Sequence, residues 1–321
     1  MILFYFLAVF DYSITAGADA AYDDNVFDYA PKYLEEFMNQ INPERFPFET
    51  YDDLKTKLSL NLLVRNKFID RRTTTVSLEL SNSNYLTNHA KDYSLFTAGI
   101  RQSFDKFAVK FEYLFMPRYL IRYYQDPQGT AYIGCEFAEH LWSLKCTFWL
   151  ASATHISAAF KREIDNYIEN FDPYDSEAYR LGIESGFELL DFLEPSMSYE
   201  FKDSKTRGPT PDISYLQHGL QAGILFRLKF PPMSKINVEY HLDYRIFTTE
   251  LPPLLDSPHS GRMDLKNWFG VSWAFPVLTS LDLSLGYDYE FRNSYSDIYS
   301  NIAELKNYRK WMVSGGLRFE Y

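Results

Sequence analysis

Two short runs in this chain set a hydroxyl nucleophile beside an imidazole base. His155-Ile156-Ser157 separates the two groups by two residues, which puts them on one face of an extended strand. His259-Ser260-Gly261-Arg262 brings them together in a segment broken by Pro252, Pro253 and Pro258. Serine with histidine is the pairing of nucleophilic hydrolysis, but the base needs a third group to orient it, and the sequence places no carboxylate or Asn for that task. Catalysis is therefore not expected. The six histidines are unclustered, and the two cysteines give neither a zinc site nor a disulfide framework, so no metal and no cofactor is expected. Glu163, Asp165, Glu169, Asp172, Asp175 and Glu177 make loop 163–176 and its flanks oxygen-rich. Their spacing fits no calcium-loop template, and a solvated acidic surface is the simpler account.

Charge that recurs at every second position is the more pervasive signal. On 234–248, Asn237, Glu239, His241, Asp243 and Arg245 alternate with Ile236, Val238, Tyr240, Leu242, Tyr244 and Ile246. On 279–292, Asp282, Ser284, Asp288, Glu290 and Arg292 alternate with Leu281, Leu283, Leu285, Tyr287, Tyr289 and Phe291. A period of two means strands with one apolar face and one polar face. A face this charged points to water or to a polar lumen, not to a packed core. The same pattern turns inward Lys110, Glu112, Arg118, Arg122, Glu136, Lys145, Arg180, Glu184, Glu200, Lys202, Arg227, Lys229 and Arg318. Facing a lumen, such charges set a transverse field that sorts solutes by charge and dipole. The alternative is that they pair across the lumen and close it.

The elements that must position these residues are strands. The chain has 321 residues, of which 18% are aromatic, with 26 Tyr and 27 Phe. Mean hydropathy is −0.31, and no stretch reaches the ~18 apolar residues that a spanning helix requires. A net charge of −11 argues against a nucleic-acid partner. Alternation predicts strands near 55–65, 73–81, 93–104, 107–123, 131–139, 142–162, 177–190, 192–202, 213–229, 234–248, 262–275, 279–292 and 309–321. Short connections fall at Asp105-Lys106, His140-Leu141, near Asp191, at Pro231-Pro232-Met233 and at Pro276-Val277-Leu278. Longer polar ones fall at 82–92, 124–130, 163–176, 203–212, 249–261 and 293–308. From residue 82 onward the two classes strictly alternate, the signature of a transmembrane antiparallel up-and-down β-barrel with its short turns periplasmic.

The strands are long, with one register from Phe107 to Tyr123 and another from Trp142 to Arg162, where soluble strands average about 5–6 residues. Aliphatic centres give way to aromatic ends: Tyr287, Tyr289 and Phe291 at one interface, Trp273 and Phe275 at the other. Thirteen strands are legible where bacterial barrels have an even number. A further strand hidden between Ala21 and Asp53 gives fourteen, the favoured count; an over-split strand gives twelve.

The last thirteen residues carry a family resemblance. Trp311, Val313, Gly315, Leu317, Phe319 and Tyr321 share one face, and Lys310, Ser314, Arg318 and Glu320 share the other. An alternating strand that stops on an aromatic residue resembles the closing strand of Gram-negative outer-membrane β-barrels. That resemblance implies an outer-membrane location and insertion by the barrel-assembly machinery, with Tyr321 standing where the superfamily usually has Phe. It also brings outer-membrane lipid and lipopolysaccharide in as partners. Lipid hydrolases of that superfamily present Ser and His outward, whereas His155 and Ser157 fall on the inward face here.

The amino terminus suggests export. Ile2 to Phe10 is apolar, and Ala18-Asp19-Ala20 offers a cleavage site, which gives a leader over 1–20. In 21–53, Pro31 opens a short helix with Leu34, Phe37, Met38 and Ile41 on one side, and Pro43 and Pro47 close it. This segment is a periplasmic lead-in, a plug or an extra strand, ahead of a barrel over 54–321. If His140-Leu141 is a turn, Cys135 faces Cys146 on the lipid side, and the two are expected to remain thiols. The expected function is porin-like passage of small hydrophilic solutes past Glu239, Asp243, Arg245, Asp282, Asp288, Glu290 and Arg292. A non-conducting interaction barrel acting through its external loops is the alternative, and a lipid hydrolase the third.

Overall fold

Fourteen antiparallel strands close on themselves, each paired with its sequence neighbours and the first with the last. The computed structural model describes residues 11–69, 72–126, 129, 131–151, 153–208, 210–229 and 233–321, with Phe68 described by its backbone alone. The strands are β1 (Asp11–Asp23), β2 (Asp53–Ile69), β3 (Arg72–Tyr85), β4 (Tyr93–Ser103), β5 (Phe107–Gln125), β6 (Tyr132–Ala151) and β7 (Thr154–Tyr167). They continue as β8 (Ser176–Phe187), β9 (Leu193–Thr206), β10 (Tyr215–Leu228), β11 (Ser234–Phe247), β12 (Arg262–Leu278), β13 (Leu281–Ser296) and β14 (Tyr308–Glu320). Closure leaves no unpaired strand edge, which lipid would not tolerate. The seam runs from Thr15–Glu320 to Asp23–Met312, and Ile14 and Tyr321 exchange backbone hydrogen bonds of 2.9 Å beyond it.

The outer face is an apolar belt. Leu58, Leu80, Leu181, Ile183, Leu285 and Leu317 stand exposed on it. Such a continuous band far exceeds the few hundred Å² of apolar patch that a soluble monomer presents. Tyr287, Tyr289 and Phe291 lie outward toward the long loops, while Trp273, Phe275, Phe319 and Tyr321 lie outward toward the short turns. Both described ends of the chain fall on the short-turn side.

Three expectations move. The added strand is real, but it spans Asp11–Asp23 rather than lying within 21–53, so the wall begins well before residue 54. Its Ala16, Ala18 and Ala20 alternate on the outward face, and the same small residues gave the cleavage-site reading at Ala18-Asp19-Ala20. Cleavage after Ala20 would remove most of β1; the apolar run Ile2–Phe10 lies outside the described residues. The turn expected at His140-Leu141 lies instead between the end of β6 at Ala151 and the start of β7 at Thr154, and His140 sits mid-strand opposite Ile164. No Gly, Pro, Asn or Asp marks 140–141, and alternation simply continues through it. The twenty-one-residue strand is therefore two strands divided elsewhere, and β5 keeps its register only to Met116, where the first of two irregularities falls. The cysteines consequently share β6 on opposite faces, with Cys135 inward and buried and Cys146 outward; both are free thiols. Glu136 turns outward with them and pairs with Arg118.

Residues 24–52 contain no strand. They connect β1 to β2 at the long-loop end and fold inward as a cap. Helix α1 (Pro31–Met38) starts on Pro31, as read from the sequence. Val26, Phe27, Tyr29, Ala30, Tyr33 and Phe46 of the cap form a buried cluster with Tyr85 and Leu120 of the wall. The Asn25 side chain accepts from Tyr29 N and donates to Tyr29 O, both at 2.9 Å, which ties the first turn. Lys32 reaches Glu304 of helix α2 (Ile302–Lys306) at 3.7 Å.

Candidate solute pathway

A barrel of fourteen strands, spaced ~4.8 Å apart and tilted ~40°, is about 28 Å across between facing backbones. Lys and Glu side chains reach about 6 Å from their Cα atoms, so opposite walls cannot touch. The inward charges pair sideways instead. Lys145 Nζ donates to Glu184 at 2.6 Å, Lys161 Nζ to Glu200 at 2.6 Å, and Lys202 Nζ to Glu163 at 2.8 Å. Arg180 joins this ladder through Glu163 and Glu200. Each ion pair spans one or two strands along the wall. The alternative, closure by pairing across the lumen, is not seen among the described residues.

Beside this ladder lies a cavity of about 410 Å³ lined by β5 to β11. Lys110, Lys145, Lys161, Glu184, Glu200 and Asp243 face it, and no residue of the cap lines it. A second cavity, about 180 Å³, lies under the cap against β12–β14 and β2–β5. Asp28 helps to roof it. Burial pushes the Asp28 carboxyl up, but Lys310, which reaches it at 2.8 Å, and Arg122 hold it well below the usual carboxylate range. Arg122 Nη2 also donates to the Asp28 carbonyl at 3.3 Å. The cap thus bridges β14 to β5. Lys91, in the loop after β3, fastens the same joint by donating to the Leu120 and Ile121 carbonyls at 2.9 and 3.2 Å. Burial brings its pKa down to about 7.

The residues expected to line the lumen all sit on the inner face, in different settings. Asp243 borders the large cavity. Glu239 accepts from Asn237 at 2.5 Å and lies 3.4 Å from His241. Arg245 donates to Gln217 at 3.0 and 3.1 Å, over the Tyr215 ring. Asp282 stands opposite Arg318 near the short turns. Asp288 and Glu290 border the small cavity. Arg292 donates to the Lys306 carbonyl at 2.9 Å and so fastens α2 at the mouth.

The hydrolase motifs do not assemble. Ser157 is buried against Thr147, 3.0 Å between hydroxyl oxygens, and His155 lies 3.8 Å from Glu184. In the loop after β11, His259 does find a carboxylate, Asp256 at 2.6 Å, a partner the sequence did not reveal. The neighbouring Ser260 donates to the Leu251 carbonyl instead. The cap and the inward Trp268 were also missed. Only the proline-flanked aromatic density of 24–52 hinted at a packed unit there.

No protein-family model matches the sequence, and no curated protein matches it significantly. Solved structures do match in fold. The outer membrane channel DcaP of Acinetobacter baumannii superposes with a TM-score of 0.55 at 10% identity, over 97% of each chain. A loop-deletion form of OmpT, an outer membrane protein of Vibrio cholerae, gives 0.52 at 6% identity, over 98% of this chain and 100% of that one. An anion-selective porin from Comamonas acidovorans gives 0.50 at 6% identity, over 97% and 99%. The chain has the fold of the Gram-negative outer-membrane β-barrel proteins, here with fourteen strands.

Proposed function

We propose that this protein is an outer-membrane channel for small hydrophilic solutes, inserted by the barrel-assembly machinery through β14 and without enzymatic activity of its own. The observation that carries the reading is the sideways pairing of the wall charges, which leaves the axis of a wide lumen to water. Glu239, Asp243, Arg245, Asp282 and Asp288 are the proposed lining, with Glu290 and Arg292 at the capped mouth. Similarity in fold to a channel and a porin is consistent with this. The cap favours a second reading, a non-conducting barrel that meets lipopolysaccharide or a partner through its long loops. Swelling of proteoliposomes in sugars of increasing size separates the two. Rates that fall with sugar size are expected; no swelling with a folded barrel favours the second reading.

A further inference from the structure

The small cavity under the cap differs in kind from the larger one, and we infer that it is a binding site for a small organic cation. The inference rests on the channel reading for how the cation arrives, but not for whether it binds. Four carboxylates border the chamber, those of Asp23, Asp28, Asp288 and Glu290, against the two ammonium groups of Lys55 and Lys310. Lys310 is already committed, 2.8 Å from Asp28 and 3.9 Å from both Asp23 and Glu290. The protein's own ammonium thus occupies one carboxylate cage in this chamber. Asp288, by contrast, makes no hydrogen bond or ion pair with another described residue.

Aromatic rings supply the second half of the site. Trp268 folds over Gly270, and a Cβ atom at that position would collide with its indole. The same Cβ would fall 2.8 Å from Asp288 Oδ1, so ring and carboxylate converge over one glycine. Tyr93 and Tyr119 meet edge to face at 5.4 Å on the other side of the chamber. Aromatic faces attract cations, Trp most strongly, and a carboxylate beside the ring adds to that attraction. Lys266 meets Glu290 at 3.0 Å and Arg122 lies beside Asp28, so the carboxylate left for a ligand is that of Asp288, which an anion would face. A neutral sugar would gain the stacking without the charge.

Titration calorimetry of the folded, detergent-solubilised protein tests the site with tetramethylammonium chloride, glucose and sodium acetate as probes. Saturable binding of tetramethylammonium alone is expected, weakened about tenfold by Asp288→Asn and by Trp268→Leu. The two variants act through different chemistry, and the heat-dependent gel mobility of each shows whether it has folded. Equal binding of glucose or acetate, or unchanged tetramethylammonium affinity in a folded variant, overturns the assignment. Conductance in KCl is read alongside. Current steps without tetramethylammonium binding remove the site and leave the channel; binding without steps keeps the site and removes the passage.

Discussion

The two cavities share one wall construction and differ in how their charges are satisfied. Along β6–β9 Lys145 pairs with Glu184 and Lys161 with Glu200, each two strands away, and Lys110 pairs with Glu112 on its own strand. Asp243, on the same cavity, makes no hydrogen bond or ion pair with another described residue. Under the cap, Lys310 gathers three carboxylates while Asp288 makes no hydrogen bond or ion pair with another described residue, and aromatic rings replace the ladder. A ladder of paired charges offers a solute a nearly neutral, hydrated surface, whereas an unpaired carboxylate beside aromatic rings offers a cation a place to stop. The difference follows from strand register. In the first region cations stand opposite cations, Lys110 with Lys145 and Lys161 with Arg180 and Lys202, and reach carboxylates diagonally, whereas in the second Trp268 and Gly270 stand opposite Glu290 and Asp288.

Removing the cap should have the largest effect. Replacing residues 29–48 by a short Gly-Ser linker leaves every strand intact and should raise single-channel conductance about twofold, by opening the part of the lumen that the cap roofs. Unchanged conductance would mean that the two regions are not separated by the cap.

Paired and unpaired carboxylates should respond oppositely to neutralisation. Glu163→Gln strands Lys202 and Arg180 and should cost about 3 kcal/mol, measured by urea unfolding from lipid vesicles. Asp288→Asn should change stability by no more than about 0.5 kcal/mol. Similar costs for the two would erase the contrast drawn above.

A smaller effect is expected from pH. Lys91, in the loop after β3 and against Phe27 of the cap, has its pKa brought from 10.5 to about 7 by burial. Between those values it therefore binds a proton once the cap undocks that it does not hold when buried. The penalty is full below about pH 7 and fades as pH rises. Burial pushes Lys306 of α2 in the same direction, reinforced by Arg262, Arg122 and Arg292. Amide exchange over Asn25–Tyr33, corrected for its intrinsic rate, should therefore be slower at pH 9 than at pH 7.

The barrel itself was legible because lipid imposes period two on every strand. Loop class alternated correctly even where a turn was misplaced, since moving a turn from 140–141 to the junction of β6 and β7 changes strand lengths but not their number. β1 was hidden because alanines that face lipid look like the small residues of a cleavage site. The cap was not legible as a cap: Phe27, Tyr29 and Phe46 pack against Leu120, and contacts across such sequence distances leave no local pattern. The inward side of Glu239, Asp243 and Asp288 could be read from alternation. Which of them has a partner could not, because that depends on inter-strand register.

The central claim is that sideways pairing leaves a conducting lumen, and the most direct test is single-channel recording from the purified, folded barrel in a planar bilayer under a salt gradient. Discrete current steps are predicted, with a reversal potential that moves toward anions when Glu239, Asp243, Asp282 and Asp288 are neutralised together. Silence from a demonstrably folded barrel would contradict it.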